Sequence, residues 1–226
     1  MAEFTIYIGN KNYSSWSLRP WLALRRTGVA FEEVIIPLDQ KDSAATLRRH
    51  SPSGRVPVLR HGTLTIWETL AICEYLAEQF PAARLWPADR DARAVARAVS
   101  NEMHAGFAAL RNLLPMDISR RWPLGKRLAK VGPDVERIAA IWRDCRERFG
   151  SGGAAGAGDF LFGGFTIADA MFAPVTTRFV TYAVPLDPVC SAYVAAMQRW
   201  PAMQDWAAAA KAEPWVINDD VNVGAA

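Results

Sequence analysis

Two short apolar runs separated by one helix-length segment set the tightest limit on how this chain can fold. Phe4-Thr5-Ile6-Tyr7-Ile8 puts Phe4, Ile6 and Ile8 on one face of an extended strand, and residues 31–36, closed by Pro37, read as a second strand. Between them Leu18, Trp21 and Leu22 line one side of a helix, and Gly28 stands where a C-terminal cap would. Two strands joined through a helix pair in parallel by a right-handed crossover. The helix then covers one sheet face, and the residues after the first strand lie at the carboxyl edge of the sheet, where open α/β sheets bind ligands.

Those residues are the turn formers Gly9-Asn10-Lys11-Asn12, followed by Ser14-Ser15-Trp16-Ser17-Leu18-Arg19-Pro20-Trp21. Proline is tolerated in a first helical turn, so Pro20 predicts that Ser17 is the N-cap and that Ser14 and Ser15 lie just ahead of the helix. Unpaired amides and the positive end of the helix dipole favour an anion there. A thiolate is one such anion. Ionising half of a thiol of pKa about 8.5 at neutral pH takes roughly 2 kcal/mol, which one charged hydrogen bond of about 1.5–3 kcal/mol supplies. A serine pair that merely caps a turn looks the same in isolation, so the rest of the chain bears on the choice.

Residues 43–49 form a short polar helix candidate, and Ser51-Pro52-Ser53-Gly54 is loop chemistry. The run 55–60 is strand-like but contains Pro57, which belongs at a strand start or edge, and a cis bond would account for its placement. Val56 keeps free backbone groups that can pair with an extended peptide ligand, although an ordinary edge-strand proline would read the same way. His61-Gly62 predicts a tight hairpin to Leu64-Thr65-Ile66-Trp67. Residues 68–80 follow as a helix with Leu70, Cys73, Leu76, Ala77 and Phe80 facing inward. Glu68-Thr69 thus occupies a second helix N-terminus, where a carboxylate can hold an ammonium and the threonine hydroxyl and amide can hold a carboxylate. Simple capping is the alternative.

Beyond the proline-bounded stretch 81–87 hardly any strand pattern survives, so the remainder is helical. Residues 88–114 read as one helix with Val95, Val99, Met103, Phe107 and Leu110 on a stripe. A second helix is expected over 134–149, followed by a glycine-rich loop at 150–158 that lacks the lysine and helix start of a phosphate cradle. Thr166 and Asp169 have capping-box spacing ahead of a helix through Met171, Phe172, Val175 and Phe179, with Arg178 on a different face. Last come helices at 189–199 and 201–211 and a tail from Glu213 in which Trp215 is a candidate to pack over the cleft.

A formal charge of +3 with mixed signs and no basic cluster interleaved with aromatics argues against nucleic acid. No basic segment followed by an apolar run opens the sequence and no run approaches the roughly 18 apolar residues of a span, so neither a signal peptide nor a membrane partner is expected. Cys73, Cys145 and Cys190 are far apart and unaccompanied by His50, His61 or His104 at ligand spacing, which predicts reduced core thiols, a cytoplasmic protein and no metal.

The order strand, Ser-Ser, helix, strand, Val-Pro, hairpin, Glu-Thr, helix within the first eighty or so residues resembles cytosolic glutathione S-transferases. Ser14-Ser15-Trp16-Ser17 is most similar to the Ser-Ser-Cys-Ser motif of their zeta class. The resemblance implies an α/β thioredoxin-like domain with a mixed four-stranded sheet over 1–81, a linker at 82–87, and an all-helical domain for co-substrate binding and dimerisation over 88–226. It implies that Ser14, or its neighbour Ser15, activates the thiol of reduced glutathione, that Val56 before cis-Pro57 pairs with its cysteinyl backbone, and that Glu68 and Thr69 hold its γ-glutamyl end. Conjugation to an electrophilic, largely apolar molecule follows, with Trp16, Met103, Phe107, Arg111 and Arg178 as candidate contacts, glutathione as co-substrate and a homodimer as the assembly. A maleylacetoacetate isomerase-like activity, a peroxidase activity and a non-catalytic glutathione-binding module are the rival readings. Trp16 replaces the zeta cysteine, which bears on isomerase activity and leaves serine-based thiol activation intact.

Overall fold

In the computed structural model, residues 3–150 and 158–217 are described. The glycine-rich segment 151–157 and the end of the tail therefore lie outside the described residues. Strand β1 (Phe4–Ile8) leads into helix α1 (Ser15–Thr27) and strand β2 (Phe31–Ile35), which pairs in parallel with β1 from Phe4↔Phe31 to Ile8↔Ile35. After helix α2 (Ser43–His50), strands β3 (Val58–His61) and β4 (Leu64–Trp67) add antiparallel, giving one sheet of order β2-β1-β3-β4. The hairpin turns on Gly62-Thr63, one residue later than expected, with Gly62 at φ +55 as the residue that tolerates the left-handed conformation. The Val56–Pro57 bond is cis and β3 begins directly after it.

Helix α3 (Thr69–Gln79) completes the α/β part, and α1 lies between α3 and α7 (Ile167–Thr181) of the helical part. The helical part consists of α4 (Arg90–Ala105), α5 (Ala108–Leu113), α6 (Leu128–Cys145), α7, α8 (Pro188–Arg199) and α9 (Pro201–Ala212). This is a thioredoxin-like α/β domain followed by a helical domain, with one apolar core running from Ile6 and Leu22 through Met103 and Trp142 to Trp206.

Three boundaries differ from the sequence reading. The N-cap of α1 is Ser14, whose hydroxyl accepts from the Ser17 amide at 3.4 Å, and Pro20 sits inside the helix. Proline at that depth removes the bond to the Trp16 carbonyl. The Thr69 hydroxyl donates to that carbonyl at 3.0 Å, so a tertiary contact replaces the missing helical one. The single helix expected over 88–114 is broken between α4 and α5, where Phe107 takes φ +60. Gly106 permits the break, because a Cβ there would meet the Glu102 carbonyl oxygen at 2.8 Å. Helix α6 starts ahead of Asp134 and runs through Pro133, and the Asp134 carboxylate accepts the Leu110 amide of α5 at 2.9 Å. At the start of α7 the expected pairing of Thr166 with Asp169 is present: the Thr166 amide and hydroxyl both donate to Asp169 Oδ2, at 2.8 and 3.0 Å.

Candidate active site

The loop between β1 and α1 is held from both ends of the chain. Asn10 C=O accepts the Tyr13 and Ser14 amides at 3.2 and 2.8 Å, while Asn12 Nδ2 donates to the buried Asp117 at 3.0 Å. The Glu213 carboxylate accepts the Lys11 and Asn12 amides at 2.8 and 3.3 Å, and Trp206 Nε1 donates to Lys11 C=O at 2.9 Å. Ser17 is a fully buried internal strut. Its hydroxyl accepts from the Gly9 amide at 3.0 Å and from the Ser14 hydroxyl at 2.7 Å. Ser14 therefore uses both of its hydroxyl functions inside the turn. Ser15, the first residue of α1, makes no side-chain hydrogen bond among the described residues.

Beside this turn opens a cleft of about 240 Å³. It is lined by Val56, cis-Pro57, Glu68 and Thr69, with Ser53 and Arg55, and by Trp16, His104 and Arg111. Six sequence-predicted residues meet here: Trp16, Val56, Pro57, Glu68, Thr69 and Arg111. Ser14 and Ser15 are buried next to Trp16 and are not on the wall. Met103 and Phe107 are packed in the apolar core, and Arg178 is buried on α7.

Glu68 holds φ +72, a conformation a non-glycine residue keeps only when its surroundings impose it, and such outliers cluster where ligands are gripped. The Thr69 hydroxyl spends its proton on the Trp16 carbonyl, so the donor it offers the cleft is its backbone N–H, one of the unpaired first amides of α3. Sequence reasoning missed Ser53 and Arg55 as wall residues, whereas His104 lies on the helix half expected to face the serines. The signal for the two missed residues is weak, because they become part of the cleft only when loop 51–57 approaches α1. The Trp16 ring meets His104 edge-on at 5.2 Å, and burial together with the Arg19 charge lowers the pKa of that imidazole, keeping it neutral at pH 7.

Burial pushes the three free thiols up, Cys145 and Cys190 to about 12, so none offers a thiolate at neutral pH. Among the described residues no cluster of three metal-ligating side chains occurs and no helix is long and apolar enough to cross a membrane.

Residues 13–79 match the family model described as glutathione S-transferase, N-terminal domain, and residues 92–209 match that of the C-terminal domain. The chain belongs to the glutathione S-transferase family. Maleylacetoacetate isomerase of Rattus norvegicus is 34% identical over 113 residues, 48% of this chain and 50% of that protein, so the chain spans about half the length of the curated relatives it matches. A solved glutathione transferase homolog from Burkholderia, with bound glutathione, superposes with a TM-score of 0.68 at 26% identity, covering 92% of this chain and 98% of that one. The theta-class glutathione S-transferase of Xanthomonas axonopodis pv. citri, also with glutathione bound, gives 0.70 at 24% identity over 92% and 98% of the two chains. In this glutathione S-transferase family member the cleft lies where the two matched domains face one another.

Proposed function

We propose that the chain binds reduced glutathione in this cleft and transfers its sulfur to an electrophilic co-substrate. The observation that carries the reading is the convergence, on one cleft, of the free backbone of Val56 before cis-Pro57, the strained Glu68 with the unpaired amides of α3, and the N-terminus of α1. An extended peptide can pair with Val56, its ammonium with the Glu68 carboxylate and its α-carboxylate with the α3 amides. Its thiol then comes to the Ser14-Ser15 turn. Ser15 is the hydroxyl with no partner among the described residues and so the one left to donate to a thiolate, whereas Ser14 already donates to Ser17. With the sulfur ionised and held against the co-substrate, proximity carries most of the remaining rate.

The homodimer belongs to the same reading. Leu64 and Trp67 on the edge strand β4 are 47% and 43% exposed, the apolar side chains a partner subunit would cover. Three buried, unpaired cysteines fit a reducing cytoplasm. The similarity to maleylacetoacetate isomerase favours a glutathione-dependent isomerase as a second reading. The test is a conjugation assay with 1-chloro-2,4-dinitrobenzene: turnover that requires glutathione supports the transferase, and glutathione binding by calorimetry without turnover of this or other electrophiles replaces it with a binding module.

A further inference from the structure

The turn that delivers Ser14 and Ser15 to the start of α1 is anchored residue by residue to distant parts of the chain. The Asn10 side chain accepts the Leu38 amide at 2.7 Å. Asn12 is fixed through both side-chain polar atoms, Nδ2 donating to Asp117 at 3.0 Å and Oδ1 accepting the Ser119 amide at 2.9 Å. The Lys11 ammonium pairs with Glu33 at 2.6 Å and lies 5.3 Å from the ring centres of both Trp21 and Trp206. These anchors leave over the backbone amides of Lys11 and Asn12. Glu213 accepts both, through Oε1 and Oε2, and among the described residues neither amide has another acceptor.

Glu213 directly follows α9, whose Trp206 Nε1 donates to the Lys11 carbonyl, so one segment grips both backbone groups of a single turn residue. The carboxylate does not sit there for stability. Burial, with Glu33 adding, raises the Glu213 pKa against the pull of the two amides and the Lys11 charge. A carboxyl whose pKa is higher in the folded chain than in the unfolded one lowers stability once it ionises. What the contact secures is geometry. The Ser14 amide bonds to the Asn10 carbonyl and the Ser15 amide to the Tyr13 carbonyl, so a displacement of residues 11 and 12 passes to both serines within one turn.

We propose that Glu213 is a positioning residue for sulfur transfer: by holding the amides of Lys11 and Asn12 it fixes the turn over 10–14, and with it the hydroxyl and helix N-terminus that meet the glutathione sulfur. This rests on the glutathione reading. Glu213 does not line the cleft and lies beyond residues 92–209, the part of the chain that matches the C-terminal domain model. It acts through the turn alone. Misplacing a reacting group by about 1 Å from a remote position can cost up to roughly a hundredfold in rate, so a contact outside the cleft has leverage on the chemistry.

The test is the pH profile of kcat/KM for 1-chloro-2,4-dinitrobenzene at saturating glutathione, whose rising limb follows ionisation of the bound thiol. Glu213→Gln keeps the side-chain length and replaces one acceptor oxygen with a donor, so one amide loses its partner. The limb should move up by roughly half to one pH unit, and kcat/KM at neutral pH should fall roughly three- to tenfold, one unit being tenfold in thiolate population. A carboxylate acting only through its charge would oppose the thiolate, and its removal would move the limb down. That outcome overturns the proposal, and so does an unmoved limb, which makes Glu213 a structural tie. S-methylglutathione has no thiol to ionise, and its affinity by calorimetry should stay within about twofold, because the tripeptide is held at Val56, Glu68 and Thr69. A parallel loss of that affinity shows the whole cleft disturbed and overturns the positioning role. Asp205→Asn is the control: it removes the 2.6 Å bond between α9 and Arg25 without touching the turn and should leave the profile in place. An equal shift there reduces the effect to a loosened α9 and overturns the proposal as well. If Glu213→Gln does not fold, Glu213→Asp, which keeps the charge and withdraws the carboxylate by one methylene, is read for the same upward shift. A wild-type chain that binds no S-methylglutathione ends the glutathione reading itself, whereas an unmoved limb in a variant that binds it ends only the role of Glu213.

Discussion

At the scale of residues, the two serines have separate employments although they are neighbours in sequence. Ser14 is the N-cap of α1 and donor to Ser17, so Ser14→Ala should cost about 1 kcal/mol of stability, the usual penalty for losing a cap, read from the urea midpoint. Ser15→Ala removes the free hydroxyl at the helix start and should lower kcat for conjugation by roughly ten- to a hundredfold, with little change in the urea midpoint. The reverse pattern, a large kcat loss in Ser14→Ala alone, would return the thiol to Ser14. Glu68→Gln replaces a charged contact with a neutral one and should weaken glutathione roughly ten- to a hundredfold by calorimetry. Turnover at saturating glutathione should fall much less, because the reacting sulfur is elsewhere and only uniform binding is lost. Unchanged affinity would leave Glu68 as a helix cap.

Elements lean on one another at the points where the local rules fail. Pro20 inside α1 strips the Trp16 carbonyl of its helical donor, and Thr69 at the start of α3 supplies the replacement. That bond ties the two helix N-termini of the cleft together. Thr69→Val should therefore destabilise the fold by about 1–3 kcal/mol, the cost of a buried group left unpaired. Restoring the amide with Pro20→Ala should absorb part of that loss, and a double-mutant cycle in urea measures the coupling. Additive effects of the two substitutions would mean that the hydroxyl is not the carbonyl's effective partner. The break at Gly106-Phe107 has a comparable effect on position. It sets α5 off from α4, and the His104 carbonyl at the end of α4 accepts from Arg111 of α5 at 3.0 Å, so two wall residues come from two separate helices that the sequence periodicity reads as one.

For the whole molecule, the expected assembly is a homodimer that covers Leu64 and Trp67, and light scattering at micromolar concentration should give twice the chain mass of 24.9 kDa. Trp67→Glu should shift that equilibrium toward the monomer, and a wild-type mass equal to one chain would exclude the dimer. What the sequence determined by itself was the part governed by short-range physics. Strand alternation and turn residues placed β1, β2 and the β3–β4 hairpin to within three residues, Gly28 ended α1, and Thr166 with Asp169 started α7, because periodicity and capping act over a few residues. The motif order brought Val56, Pro57, Glu68 and Thr69 to one cleft for the same reason, since each sits at an element boundary that local chemistry fixes. Tertiary structure alone decided which serine is spent on the helix cap, how Pro20 could lie inside a helix, and that Arg19 and Arg178 are buried and Arg111 lines the cleft, each without a carboxylate partner among the described residues. Those outcomes depend on hydrogen-bond partners and charges contributed from as far as 152 residues away along the chain, as in the bond from Arg19 to Met171, and no local pattern encodes a partner at that separation.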